Sequence, residues 1–315
     1  MTEQFKTDVS VGLRSTPKRL SSKYFYDKIG DALFVQIMNM PEYYLTRSEF
    51  EIFSKQTQKL IDSFEIQKDN YFELIELGAG DGTKTKELLK ELVKQKYNFD
   101  YFPIDISQNA LDHLDGALKN EIPDLNVRSK QGDYFQVLSS FKNSNHKKVV
   151  LFLGSNIGNL NDDLAHKFIY QLGANIKPDD VLLLGVDLIK SRDIVLPAYN
   201  DAAGITSRFN LNLLQRINNE LGGDFNLNQF IHSPDFSEES GVAESSLVST
   251  VRQSVRIQSL NETFHFEEGE KIHTEISRKY NDKIIKEIIS KTSFTLETKI
   301  SDSKAYFADY VLKRN

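Results

Sequence analysis

The clearest chemistry in this chain lies in a cluster of glycines and in acids placed at the ends of apolar runs. Glu76-Leu77-Gly78-Ala79-Gly80-Asp81-Gly82-Thr83 follows such a run and opens a helical pattern. Glycines at a βα turn let the backbone bend tightly and approach a ligand closely, near the positive end of a helix. Gly78, Gly80 and Gly82 give the spacing G-x-G-x-G, and Thr83 stands where the dinucleotide fingerprint has its third glycine, which disfavours NAD. Asp105 closes the next apolar run, where a carboxylate can accept from both hydroxyls of a ribose. In Gly132-Asp133-Tyr134, Asp133 closes the third, where an acid can accept from an adenine amino group. Each acid alone also fits an ordinary turn or a helix cap. Three in order, at the carboxyl ends of successive strands, point to a nucleoside site in the crevice of an open sheet.

A fourth run, Val149–Leu153, leads into Gly154-Ser155-Asn156-Ile157-Gly158-Asn159. The two amides would stand beside the reacting centre, and the Asn159 carbonyl oxygen can orient a nucleophilic amine; a turn and helix cap explains the same residues. Late in the chain, Glu275 and Ser277 sit two apart in Thr274-Glu275-Ile276-Ser277, so on a strand they share a face and can converge on one ligand. Lys271, His273 and Lys279 share that parity, and on the residues alone an exposed polar strand face is the preferred reading. Other chemistries find less support. The six histidines show no H-x-x-x-H spacing, and neither a G-x-S-x-G elbow nor a Walker lysine motif occurs. The chain has no cysteine, which excludes disulfides, thiolate zinc sites and cysteine nucleophiles.

These residues need a scaffold. Phe72–Leu77, Tyr101–Ile106, Val127–Lys130, Lys148–Leu153 and Val181–Leu188 read as strands, with helical patterns over Thr83–Gln95, Ala110–Lys119 and Asp162–Ile176 between them. That alternation predicts an α/β fold, a doubly wound parallel sheet with helices on both faces. Phe294–Lys299 and Tyr306–Leu312 flank Ser301-Asp302-Ser303 as a C-terminal antiparallel hairpin. The first twenty or so residues are polar and read as loosely held. Thr46-Arg47-Ser48-Glu49 reads as a capping box opening a helix. The aromatic stretch Tyr24–Tyr44 and the mixed segment from Ser191 to about Glu270 would build a second domain. With 315 residues, 39% hydrophobic and 27% charged, the chain is long enough for two cored domains. A net charge of −6 argues against a general nucleic-acid binder. No window reaches the roughly 20 apolar residues of a membrane span, and no signal-peptide stretch opens the chain. The expectation is a cytoplasmic, monomeric protein acting on a small molecule, with no nucleic-acid or membrane partner.

The glycine turn and strand-end acids together resemble class I S-adenosylmethionine-dependent methyltransferases. Further elements carry a more specific resemblance, and they run along nearly the whole chain: Tyr24-Phe25-Tyr26-Asp27, Leu33-Phe34, Pro41-Glu42-Tyr43-Tyr44-Leu45-Thr46-Arg47, Glu76-Leu77-Gly78, Phe152-Leu153-Gly154-Ser155, Ile157-Gly158-Asn159, Ala198-Tyr199-Asn200-Asp201 and Thr274-Glu275-Ile276-Ser277. On these the chain is similar to the histidine Nα-methyltransferase family of ergothioneine biosynthesis. The resemblance implies a Rossmann-like methyltransferase domain over 56–190 and 279–315, and an α+β amino-acid-binding domain over 1–55 and 191–278. It implies S-adenosylmethionine as cofactor, held by Glu76, Gly78, Gly80, Gly82, Asp105, Asp133 and Tyr134 with Phe34 lining the cleft, and no metal. It also implies that Tyr43, Asn159 and Tyr199 hold the amino acid's α-amino and α-carboxylate groups, that Tyr26 and Asn159 serve the reacting amine, and that Glu275 and Ser277 grip the imidazole. Two positions depart from the family pattern: Ser245 falls where a methionine is expected beside the ring, and Asn156 replaces a threonine. The implied reaction is methyl transfer to the α-amine of L-histidine, up to the trimethyl betaine hercynine. The alternatives are another amino acid or an aromatic amine such as a tryptophan derivative, or a non-catalytic nucleoside-binding protein of the same fold.

Overall fold

In the computed structural model, which describes residues 3–315, the chain divides into two compact units. A sheet unit comprises 45–189 with 279–315, and an insertion unit comprises 1–44 with 190–278.

The sheet unit is built on seven strands in the order Phe294–Ser301, Phe307–Arg314, Val181–Asp187, Lys147–Phe152, Phe72–Leu77, Phe99–Asp105 and Lys130–Gln131. Phe72–Leu77 and Val181–Asp187 are buried at every residue, because a parallel sheet with helices on both faces exposes neither side to water. One face carries Ile75, Phe152 and Leu184 under Phe168, Ile169 and Leu172; the other carries Leu74, Tyr101 and Leu151 under Phe53, Leu60 and Leu88. Phe307–Arg314 runs antiparallel to Val181–Asp187 and pairs with Phe294–Ser301, which forms the expected terminal hairpin. From Phe72–Leu77 the chain winds outward through Phe99–Asp105, then returns to Lys147–Phe152 on the opposite side. Strand order therefore reverses between Phe72–Leu77 and Lys147–Phe152, and the crevice at their carboxyl ends is where an open sheet binds ligands.

The insertion unit packs the helix Ile205–Leu221 through Phe209, Leu213 and Ile217 into one core with Leu247 and Ile272 of a four-stranded sheet. That sheet runs Lys18–Arg19, Lys271–Arg278, Val242–Ser249, Phe230–Ser237, and a two-stranded ribbon pairs Gln253–Ile257 with Glu262–Phe266. The segment from Ser191 to Glu270 is thus more regular than its polar composition implies.

Four readings of the sequence require correction. The N-terminal stretch is a helix, Glu3–Arg14, whose Phe5, Val9 and Leu13 recur every four residues and are buried. Each contributes roughly 1.5–3 kcal/mol of burial, enough to hold a polar-looking segment in place. Thr46-Arg47-Ser48-Glu49 is not a capping box: the helix begins at Tyr44, and the Glu49 carboxylate accepts from the Gly154 N–H at 2.9 and 3.1 Å. The unit boundary lies at 44/45 rather than 55/56, since Ile52 and Phe53 of that helix belong to the sheet-unit core. Val127–Lys130 is not a full strand: Val127 makes only an isolated bridge to Tyr101, and the strand is Lys130–Gln131.

Candidate active site

At the switch point, the turn after Leu77 is held down by the Gly78 N–H donating to the Ile104 carbonyl at 2.8 Å. Gly78 has φ +73°, and a Cβ there would come within 2.7 Å of the Tyr134 hydroxyl, so only glycine admits both the backbone bend and the tyrosine. Gly82, at φ +65°, abuts Leu114, whereas the space beside Gly80 is open for 4 Å. This open cradle lies beside Asp105, whose Oδ1 accepts from the Ser107 N–H at 2.9 Å and whose Oδ2 accepts from the Gly80 N–H at 3.4 Å. Asp105 thereby ties two adjacent turns together and presents a half-exposed carboxylate between them. Asp133 caps the helix Tyr134–Ser139, its Oδ1 accepting from the N–H groups of Phe135 and Gln136 at 3.0 and 3.3 Å. Burial, helped by the charges of Asp105 and Asp133, pushes the Tyr134 phenol up to about 12 and keeps it a neutral donor.

Glu76 lies below this cradle rather than in it. It is fully buried, accepting from Thr85 Oγ1 at 2.8 Å and from the Tyr101 hydroxyl, and it braces the strand against the following helix. Burial pushes its carboxyl up to about 7, against the lowering effect of those hydrogen bonds and of Lys84. Lys84, one residue beyond the glycine turn, pairs with the buried Glu49. After Phe152 the chain turns through Gly154 (φ +72°) and Ser155 (φ +57°), with Ser155 Oγ accepting from the Asp187 N–H at 3.0 Å. The short turn Asn156–Asn159 follows, and both asparagines are exposed. Asp187 also forms a fully buried ion pair with Lys279 at 2.8 Å, so Lys279 belongs to no exposed polar face.

The insertion unit gathers a second polar set. The Tyr199 hydroxyl donates to Ser277 Oγ at 2.8 Å, and Ser277, accepting there, directs its own proton to another acceptor. Glu275 stands directly across from Ser245, and Ser277 from Ala243. A β-bulge between His273 and Glu275 shifts the register, so His273 pairs with Ser246 on the opposite face. The bulge separates Glu275 and Ser277 from Lys271 and His273, and the shared parity that suggested one exposed polar face does not hold. Ser245 accepts no solvent either; it is 1% exposed, and Thr274 Oγ1 lies 3.0 Å from its carbonyl oxygen. Tyr26, Phe34 and Tyr43 form an aromatic cluster with Phe209: Tyr26 meets Phe34 edge-on at 5.4 Å and Phe34 meets Tyr43 at 6.4 Å. Asp27 anchors that segment, its Oδ1 accepting from the Gly30 N–H at 2.7 Å and from Asn212 Nδ2 at 2.8 Å. Phe34, Tyr43 and Tyr199 therefore belong to the insertion unit, and Asn159 to the sheet unit.

The sequence reading did not single out Lys84 or His232 and took Glu49 for part of a capping box. Lys84 was visible as the cation next after the glycine motif, whereas Glu49 and His232 act through contacts remote in sequence.

Five strands parallel up to a switch point, an antiparallel seventh strand inserted beside the fifth, and a glycine turn facing a strand-end carboxylate define a class I methyltransferase fold. The chain belongs to the family of histidine-specific, S-adenosylmethionine-dependent methyltransferases, whose profile matches residues 5–314. It is 34% identical over 278 residues to the histidine N-alpha-methyltransferase of Mycolicibacterium smegmatis, covering 88% of this chain and 85% of that one. Its identity to the enzyme of the same name from Mycobacterium tuberculosis is 34% over 280 residues, covering 89% and 85%. With ergothioneine biosynthesis protein 1 of Schizosaccharomyces pombe it shares 27% over 303 residues, 94% of this chain but 39% of that protein. The open cradle at Gly80, the Asp105 carboxylate beside it and the neutral Tyr134 fit a nucleoside cofactor of this kind.

Proposed function

We propose that this enzyme methylates the α-amino group of L-histidine, through to the trimethyl betaine hercynine. The observation that carries the reading is the Tyr199–Ser277 hydrogen bond beside Glu275, a polar set placed on the core-facing side of a sheet in a chain of this family. A neutral imidazole offers one donor and one acceptor, and a carboxylate with a hydroxyl is the matching pair. In this reading the enzyme is a cytoplasmic monomer acting on a free amino acid.

When bound, S-adenosylmethionine supplies an electrophilic methyl group on a sulfonium. Asp105 would accept from its ribose hydroxyls and Asp133 from its adenine amine, with the glycine turn giving the backbone close approach. The amine must arrive neutral with its lone pair aligned, so the protein's contribution is positioning and exclusion of water rather than a strong base. The Asn159 carbonyl oxygen would accept from the amine and aim the lone pair. Tyr43 and Tyr199 would hold the amino acid's backbone groups. Tyr26 would pass the released proton to bulk water, a role that its 44% exposure supports. Incubation with methyl-labelled S-adenosylmethionine and each standard amino acid tests the reading. Label on histidine is expected; transfer only to another acceptor, or binding without transfer, overturns it.

A further inference from the structure

A histidine outside the set assigned so far stands on the same face as Glu275 and Ser277. His232 lies on the edge strand Phe230–Ser237, with Nε2 3.3 Å from Ser245 Oγ. Two residues on, Pro234 is directly opposite Ser245, and Ser245 is directly opposite Glu275. Directly opposed residues share a face, as do residues two apart on one strand. His232, Ser245, Glu275 and Ser277 therefore line one side of the sheet, the side that carries the buried Leu247 and Ile272. Polar groups on an apolar face are costly unless they bind one another or a ligand. Burial lowers the His232 ring to about 4, outweighing the nearby Asp201 charge, so the imidazole is neutral. A carboxyl group opposite Ser245 offers acceptor oxygens, which favours a Ser245 proton turned toward Glu275 and a His232 tautomer that donates Nε2–H to Ser245 Oγ.

We propose that His232 is a positioning residue for substrate specificity: through Ser245 it fixes the hydrogen-bond polarity of the wall beside Glu275, favouring a side-chain ring with both a donor and an acceptor nitrogen. Phenyl offers neither and indole only a donor, so both leave this wall unmatched. Sites that hydrogen-bond a substrate group discriminate strongly against analogues lacking it. The inference rests on the histidine reading above and names the residue that sharpens it.

The test measures kcat and KM for histidine, tryptophan and phenylalanine in the wild-type enzyme and in His232→Phe, His232→Gln and Ser245→Ala. His232→Phe should raise KM for histidine tenfold or more, change kcat less, and shift the histidine-to-tryptophan ratio of kcat/KM by at least tenfold toward tryptophan. His232→Gln keeps an N–H near Nε2 and should restore the ratio to within about threefold. Ser245→Ala removes the group through which His232 acts. It should reproduce the shift, and adding His232→Phe to it should change little further. S-adenosylmethionine affinity should stay within about twofold throughout. If His232→Phe does not fold, Ser245→Ala with the glutamine variant decides the matter. Wild-type protein that leaves histidine unmethylated overturns the reaction and this inference together. Wild-type protein that methylates histidine, with variants that keep the wild-type ratio, overturns the inference alone.

Discussion

At the scale of single residues, the two polar sets make separable demands. Asp105 is positioned by two backbone N–H groups and would accept two ribose hydroxyls, so Asp105→Ala should weaken S-adenosylmethionine binding by about 1–3 kcal/mol in titration calorimetry. Tight NAD binding with no S-adenosylmethionine binding would contradict the assignment. Glu275 is proposed to act on the other ligand. Its loss should lower kcat/KM for histidine tenfold or more, about 1.5–3 kcal/mol for a charge-assisted hydrogen bond, while cofactor affinity barely changes. An unchanged histidine preference in Glu275→Ala would place the ring elsewhere. Tyr43, Asn159 and Tyr199 are assigned to a free amine together with a free carboxylate. Histamine has no carboxylate and should be a very poor acceptor. Histamine methylated as fast as histidine would remove those roles.

At the scale of elements, the site depends on how strands and helices lock. Gly185, in mid-strand, faces the space filled by two acids. A Cβ there would overlap Glu49 Oε1 and lie 2.9 Å from Asp309 Oδ1 and 3.3 Å from the Leu153 Cα. Gly185→Ala should therefore push Glu49 off the Gly154 N–H and lower stability by about 1–3 kcal/mol, read as a fall in urea midpoint. An unshifted midpoint would mean that the Glu49 contact is dispensable. The elements around this glycine were legible from the sequence to within a few residues. A strand buried on both faces must be a continuous apolar run, and a βα turn over a ligand must carry glycine. Glu49 was misread because its partner, Gly154, lies far along the chain, and a local capping pattern described the same residues. The face shared by Glu275 and Ser277 was legible, but not its separation from His273, because a bulge leaves no mark in residue spacing. His232 carried no mark in the sequence beyond being one of six histidines without metal spacing; its place beside Ser245 appears only once the strands are paired.

At the scale of the whole molecule, buried titratable groups in the two units give the stability opposite dependences on pH. Burial raises the Glu76 carboxyl from 4.5 to about 7, so its contribution is intact below pH 4.5 and is lost as pH climbs through about 7. Burial likewise holds Asp309 well above the usual carboxylate range, adding to the loss on the alkaline side. His232 behaves in the opposite way: its ring falls from 6.5 to about 4, so its contribution is intact above pH 6.5 and is lost as pH drops through about 4. Between pH 4.5 and 6.5, Glu76 makes the native state bind one more proton than the unfolded chain, and His232 makes it bind one fewer. Each slope is about 1.4 kcal/mol per pH unit, and the two oppose each other in that window. Removing one group should unmask the other. Relative to wild type, Glu76→Gln should gain stability progressively from pH 4.5 to 7, by up to about 3 kcal/mol in total. His232→Phe should instead lose ground relative to wild type over the rise from pH 4 to 6.5, by less, because the ring is only half-buried. Urea unfolding across this range measures both differences. Difference curves that run flat, or that slope in the same direction, would show that these two groups do not set the pH response.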